Sequence, residues 1–323
     1  MGRLSTATQD ATIMPELPDV VVYIEALQRK IGGSPIEGIE LRSPFLVRTV
    51  EPPLPEAVGR EIIGFRRLGK RIVWELEDGL FLVFHLMIAG RFHWKKIGTR
   101  PTRKVDLAAF HFSSGTLMLT EAGSRKRASL HVVDTVQGLA EHDPGGLEVI
   151  ECDLPAFREA LQRENHTLKR ALADPGLFSG IGNAYSDEIL HAAQLSPVKW
   201  TSRLSEVEIE RLHAATQTTL LSWIERLRLE AADAFPEKVT AFRQEMAAHG
   251  RYGKPCPECQ TAIQRIEYAD RETNYCPCCQ TGGKILADRQ LSRLLRADWP
   301  RTVEELEAAG AAGVAGVRRG SPQ

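Results

Sequence analysis

The sequence predicts an α+β protein of several domains. Three observations carry that reading: an amphipathic helix near the start, a run of short strands after it, and a cysteine-rich module that follows a helical stretch. Residues 15–31 set Val21, Ile24, Leu27 and Ile31 at helical spacing, with Pro18 suited to the first turn and Gly32-Gly33 to end it. Residues 39–133 read as β-structure. Ile72–Leu76, the pair Asp78-Gly79 and then Leu80–Leu86 form a hairpin signal, and Ser113-Ser114-Gly115 marks a second one. Several short strands divided by turns predict a sandwich.

The segment Asp143-Pro144-Gly145-Gly146 reads as part of a linker, and from 151 the pattern turns helical. Ser205 and Glu208 form a capping box, and Ile209, Leu212, Thr216, Leu220, Trp223 and Leu227 then follow one helical face. The boundaries implied are an extension over 1–13, a β-domain over 14–135, a linker over 136–150, a helical domain over 151–249, a cysteine module over 250–285 and a tail over 286–323. A chain of 323 residues, 43% hydrophobic and 26% charged, is ordinary for two or three globular domains. No stretch approaches 18 uninterrupted apolar residues, so no membrane span is expected. The first thirteen residues lack the apolar centre of a secretory signal, and a cytoplasmic location is expected.

The formal net charge is -1, which does not announce a nucleic-acid binder. The distribution says more. Arg66, Arg67, Lys70 and Arg71 form one basic cluster. Lys95, Lys96, Arg100, Arg103 and Lys104 form a second, and Arg125, Lys126 and Arg127 a third. Acid collects elsewhere, as at Glu206, Glu208 and Glu210. A local basic face on a neutral protein binds phosphates, although charge runs are as often solvated surface.

The strongest local signal is Cys256-x2-Cys259-x16-Cys276-x2-Cys279. Two CxxC pairs bring four thiolates to one tetrahedral zinc, with no open position for catalysis, so a single structural Zn2+ is expected. The module is too short to bury a core, and the metal supplies much of its folding energy. A redox dithiol would not need two pairs. Cys278 sits beside the set and reads as a bystander, competition as a ligand being the alternative, and Cys152 reads as a buried small residue. Arg271, between the pairs, is either a guanidinium fixed by the hairpin for a phosphate or an exposed arginine. Gly180-Ile181-Gly182-Asn183 is a glycine turn that opens a helix, a favourable anion site in which Asn183 caps and donates its amide.

Met14-Pro15-Glu16-Leu17-Pro18 is read in two ways. One is a helix entry. The other is chemical: an α-amine has a pKa of about 7.7–8.0 against about 10.4 for lysine, so a terminal amine attacks a sugar C1′ near neutral pH. Proline's secondary amine gives an iminium, an electron sink that labilises the C2′ proton. Glu16 is placed to move protons, and Lys70 to protonate or orient a leaving base or to hold a phosphate.

Taken together, these features resemble the formamidopyrimidine-DNA glycosylase / endonuclease VIII family, from about Met14 to Lys284. The carriers are Met14-Pro15-Glu16-Leu17-Pro18, the lysine of Arg67-Leu68-Gly69-Lys70, His85-Leu86, the run Gly180 to Tyr185, and the four cysteines. The resemblance implies an N-terminal catalytic lobe of one helix on a β-sandwich. It implies a second lobe combining a helix-two-turn-helix with a zinc finger, and double-stranded damaged DNA bound between them as a monomeric enzyme's substrate. It implies a glycosylase of base excision repair that flips the damaged nucleotide and cuts the strand. Pro15 matches the nucleophile and Glu16 the proton shuttle. Lys70 matches a DNA contact that aids elimination. His85, Asn183 and Arg271 match phosphate contacts, Arg271 also serving the second elimination, and Glu188 matches a structural acid. Oxidised purines are the expected substrates. Oxidised pyrimidines, abasic sites alone, or a non-catalytic sensor of damaged DNA are the alternatives. A location with the nucleoid follows.

Three departures stand out. Thirteen residues precede Met14, and a Pro15 locked in an amide is no nucleophile, so a physiological start at Met14 with its removal is expected. The family's Arg-x-Phe intercalating loop is not evident in Glu121–Ser129. Met87 or Ile88 stands where a wedging methionine is frequent, with Arg127 the candidate to fill the gap. The tail beyond about Ile285 passes the family's usual end and reads as a packing appendage.

Overall fold

The computed structural model describes residues 14–306 except 124, 238, 240–242, 269–270 and 287–300, and leaves out the side chains of residues 268 and 271. The extension over 1–13 and most of the tail therefore lie outside the described residues. The chain divides into two compact units: residues 1–153, 174–182 and 220–242, and residues 154–173, 183–219 and 243–323.

In the first unit, helix α1 (Leu17–Ile31) begins with a capping box. Glu16 caps the Asp19 backbone, Asp19 returns the bond to the Glu16 N–H at 3.0 Å, and Gly32 closes the helix. The buried stripe is Val20, Tyr23, Leu27 and Ile31, with Val21 and Ile24 only partly covered. Leu27 and Ile31 are buried as expected, and only the first half of the stripe is shifted by one residue, because Tyr23 carries its ring inward against Phe92 and Phe235, at 5.8 and 5.9 Å between centroids.

Eight strands follow: β1 (Gly38–Leu41), β2 (Ile62–Leu68), β3 (Arg71–Leu76), β4 (Phe81–His85), β5 (Gly90–Lys95), β6 (Asp106–Phe112), β7 (Gly115–Glu121) and β8 (Ser129–Val133). They form two four-stranded antiparallel sheets, β1-β6-β7-β5 and β2-β3-β4-β8. Both expected hairpins are present. Asp78 and Gly79 take positive φ between β3 and β4, and Phe112 pairs with Gly115 across Ser113-Ser114. Trp74 and Phe84 of one sheet meet Phe92, Phe110 and Phe112 of the other. Trp74 lies 4.8 Å from Phe84 and 5.2 Å from Phe110, so the two inner faces share one aromatic core. The expected linker over 136–150 is not bare. It contains helix α2 (Val136–Ala140), whose Leu139 covers Val73, Phe81, Val83 and Val133 on the outer face of the second sheet. An apolar outer face needs such a cover.

The second unit carries α3 (Leu154–Gln162), α4 (Leu168–Ala173), α5 (Asn183–Ala192) and the start of α6 (Glu206–Ala231), whose residues from Leu220 on belong to the first unit. The α6 capping box is present: Ser205 N–H donates to Glu208 at 2.9 Å and Glu208 N–H to Ser205 Oγ at 3.3 Å. Its expected stripe from Ile209 to Leu227 is buried. The cysteine module folds as the hairpin β9 (Gln264–Tyr268) and β10 (Arg271–Tyr275), then α7 (Pro277–Thr281). Beyond Ile285 the described residues from 301 return to the end of the cysteine module. Thr302 bridges Lys284, and the Ile285 N–H reaches Arg301 O at 2.8 Å. Among the described residues no helix is long and apolar enough to cross a membrane.

Candidate active site and zinc centre

Pro15 and Glu16 are buried at the start of α1, where Glu16 is 1% exposed. The capping box aims the Glu16 carboxylate, and its Oε2 also accepts the Gly182 N–H at 2.7 Å. The Leu17 N–H donates to Gly180 O at 2.9 Å, so two bonds join the head of α1 to the glycine turn. Gly182 is required by space. A Cβ there would overlap both Lys70 Nζ and Glu16 Oε1, so the ammonium and the carboxylate crowd one point. Gly180 is required by conformation, at φ +80°. Lys70 follows Gly69 in the tight turn from β2 to β3. Pro15, Glu16 and Lys70 are thus assembled as a group around residues 180–182.

What fixes the glycine turn was not visible in the sequence. Arg67 donates to Gly69 O at 2.7 Å and Ser179 Oγ at 3.0 Å and pairs with Glu148, while the Ser179 hydroxyl donates to Glu148. Nothing in the spacing of residues 67, 148 and 179 announces this clamp. It holds the β2–β3 turn and the glycine turn together.

His85 ends β4, cross-strand from Arg71. Burial, then the charges of Arg71 and Lys70, push its pKa down to about 4, so the imidazole is neutral near pH 7. Met87, just after it, holds φ +53°, a strained conformation for a side chain where a wedge is expected. Arg127 is tied by its backbone: the N–H groups of Arg127 and Ala128 donate to the Glu121 carboxylate at 2.9–3.2 Å. The structure gives its side chain no described partner that would define a role.

In the second unit α5 starts at Asn183, whose carbonyl accepts Lys169 Nζ. Glu188 accepts three backbone N–H groups, of Ala247, Ala248 and His249, at 2.7, 2.8 and 2.9 Å. It is a structural acid in the plain sense. Asp187, 1% exposed, receives Lys169 at 2.6 Å, His249 at 2.7 Å and Asn274 at 3.3 Å. Burial opposes its ionisation, but Lys169 and His249 prevail and hold it below the usual carboxylate range. This hub, which sequence reasoning missed, ties α4, α5 and β10 together. Arg271 opens β10 opposite Tyr268, and its side chain lies outside the described atoms.

The sulfurs of Cys256, Cys259, Cys276 and Cys279 lie within 4.8 Å of one another, while Cys278 is exposed beside them, its thiol toward Cys259. Cys259–Cys276 and Cys256–Cys279 are 3.4 and 3.9 Å apart. Zn–S bonds of about 2.3 Å in a tetrahedron put sulfurs roughly 3.8 Å apart, so the residues fit the metal. Burial pushes Cys276 up to about 12 and raises Cys279 too. His191 Nε2 approaches Cys256 Sγ at 3.2 Å, and Gln280 braces the Cys276 N–H at 2.8 Å. Cys152, expected to be buried, is half-exposed with its thiol toward Val149 O.

Three family models match in order: the formamidopyrimidine-DNA glycosylase N-terminal domain over residues 14–130, its H2TH domain over 147–230, and the zinc finger found in FPG and IleRS over 253–282. The formamidopyrimidine-DNA glycosylase of Lactococcus lactis subsp. cremoris is 31% identical over 277 residues, which cover 83% of this chain and 99% of that protein. The chain belongs to the formamidopyrimidine-DNA glycosylase family.

Solved structures agree with that assignment. A Lactococcus lactis Fpg in complex with abasic-site DNA is 31% identical, with a TM-score of 0.73 over 82% of this chain and 99% of that one. MutM in complex with DNA containing carbocyclic 8-oxo-G is 30% identical, again at 0.73, over 83% and 100%. In glycosylase-family terms, the first match begins at Met14, one residue before Pro15, and takes in Glu16, Lys70 and His85. The second includes Asn183 and Glu188, and the third the four cysteines and Arg271. Residues beyond 282, including the returning segment at 301–303, fall outside all three models.

Proposed function

We propose that this glycosylase-family chain removes oxidised bases from double-stranded DNA and cuts the strand at the resulting abasic site, with Pro15 as nucleophile. One observation carries the reading: Glu16 and Lys70 crowd a single point beside residue 182, next to Pro15. Once Met14 is removed, the Pro15 secondary amine attacks C1′. The base leaves with a proton, and an iminium links protein and sugar. Glu16, fixed by the Gly182 N–H, accepts and returns protons during ring opening. Loss of the C2′ proton expels the 3′ phosphate, and a second elimination, assigned to Arg271, expels the 5′ phosphate. Lys70, His85 and Asn183 hold backbone phosphates, and Arg127 fills the space of the displaced base. Relatives solved with 8-oxo-G and abasic-site DNA favour oxidised purines as substrates. One structural Zn2+ holds the β9–β10 hairpin. The enzyme acts as a monomer, in the cytoplasm and with the nucleoid.

A second reading applies if Pro15 is not the free N-terminus. With Met14 attached, Pro15 is an amide, and the protein is then a silent sensor of damaged DNA. Borohydride trapping separates the two, on duplexes carrying 8-oxoguanine, an oxidised pyrimidine or an abasic site. Protein beginning at Pro15 is expected to give a covalent adduct, greatest with the oxidised purine, and Pro15→Gly to give none. Equal trapping by the full chain with residues 1–14 attached would overturn the nucleophile assignment.

A further inference from the structure

Beside the proposed site lies a cluster that the mechanism does not use. Arg71, the first residue of β3, pairs with His85 of β4, and Val83 pairs with His131 of β8. Alternation along the strands sets Arg71, His85 and His131 on the outer face of the sheet, in line with Val73 and Val83. Helix α2 covers the apolar part of that face and stops at Ala140. The chain after it turns back and lays the His142 ring 4.5 Å from that of His131. Next to His85, the end of the sheet thus gathers Arg71 and two imidazoles, those of His131 and His142, that neither the core nor the proposed chemistry needs.

The chemistry of the cluster suits an anion. A cation would face a guanidinium in the middle of its ligands. Arg71 is half-buried and, among the described residues, makes no ion pair within 4 Å, although Asp143 is close enough to act on it. The charged groups facing the imidazoles are Lys70 and Arg71 at His85, Arg71 and Arg48 at His131, and Arg71 and Glu141 at His142. Cations dominate this set, the two acids being exposed on the α2 turn. Burial and that positive field keep His85 and His131 near pKa 4, and so neutral in the free protein. A phosphate set among them would cancel the field and favour imidazolium.

We propose that Arg71, His131 and His142 form a second phosphodiester subsite beside Lys70 and His85, one that takes up protons as a DNA strand docks. The inference rests on the proposed function and extends its DNA contact along the outer face of the sheet. In the free protein the Asp143 charge acts on Arg71, and its Oδ1 accepts the Gly145 N–H at 2.9 Å, a bond that asparagine keeps.

The test is fluorescence anisotropy with a duplex containing a tetrahydrofuran abasic analogue, at several salt concentrations and at about pH 7.5 and about pH 5.5. Arg71→Gln is expected to weaken binding about tenfold and to lower the log–log salt slope by about 0.9. Asp143→Asn is expected to tighten binding several-fold, which a merely structural clasp between Asp143 and Arg71 does not predict. Wild type is expected to bind more tightly at the lower pH, and His131→Gln/His142→Gln to lose most of that gain. Unfolding midpoints of each variant check that the fold is intact. Duplex binding by wild type with the same slope and affinity in Arg71→Gln and Asp143→Asn overturns the subsite alone. No duplex binding by wild type overturns the proposed function as well. Inorganic phosphate is the second arm. If it shifts the His131 and His142 resonances to saturation while the variants bind DNA normally, the ligand is free phosphate and the strand assignment fails.

Discussion

The backbone N–H of Gly182 donates to the Glu16 carboxylate at 2.7 Å, a contact between residues 166 positions apart. The same carboxylate caps α1, so one side chain sets both the helix entry and the glycine turn. Glu16 cannot drift without loosening two backbone segments. This is how a proton-transfer group is held within reach of its target.

Gly182→Ala is expected to abolish base excision while leaving a folded protein. The new Cβ meets Lys70 Nζ and Glu16, and overpacking of this kind costs about 1–3 kcal/mol. The displaced acid–base group lowers the rate by about 100-fold or more. Gly176→Ala is the control, because its Cβ would make only ordinary contacts and its φ is not positive. Single-turnover excision of 8-oxoguanine measures both, and equal rates would count against the role of Glu16.

Glu188→Ala removes the acceptor of three backbone N–H groups in a nearly buried position. Unpaired buried donors are costly, and a loss of roughly 3–5 kcal/mol is expected. Glu188→Gln keeps one acceptor oxygen and should cost less. Denaturant unfolding ranks the three proteins, and the order wild type, Gln, Ala is the outcome expected.

The zinc centre should resist chelation better with His191 than without it. An imidazole N–H at 3.2 Å from Cys256 Sγ shares the charge of a metal-bound thiolate. His191→Leu is expected to release zinc to a colorimetric chelator several-fold faster, while Cys256→Ser prevents stoichiometric binding. Unchanged release from the leucine variant would show that the contact is only packing.

Acid should destabilise the first unit before its carboxylates titrate. His85 and His131 fall from 6.5 to about 4 on folding, burial being the larger cause in each. Between those values the unfolded chain binds more protons than the folded one. Stability is therefore lost as pH falls from about 6.5 toward 4. Thermal midpoints measured across that range should decline for wild type and decline less steeply in His131→Gln.

Much of this was legible in order along the chain. The capping box at Ser205, the hairpin turns and the cysteine pairs depend on residues close in sequence, so their geometry follows from local spacing. The first half of the α1 stripe was off by one because periodicity locates an apolar face only to within a residue, and Tyr23 packs as a core side chain, while Leu27 and Ile31 are buried as expected. The linker over 136–150 hid α2, since five residues are too few to show a period.

Local patterns determined that two CxxC pairs converge, that a proline–glutamate step opens a helix, and that a glycine turn precedes Asn183. They could not determine which distant groups meet. The Arg67–Ser179–Glu148 clamp, the Asp187 hub and the Arg71–His131–His142 cluster each join segments whose separation along the chain carries no periodic signal. Only the packing of sheets and helices brings such groups within hydrogen-bonding or Coulombic range, and burial then sets which of them hold a charge.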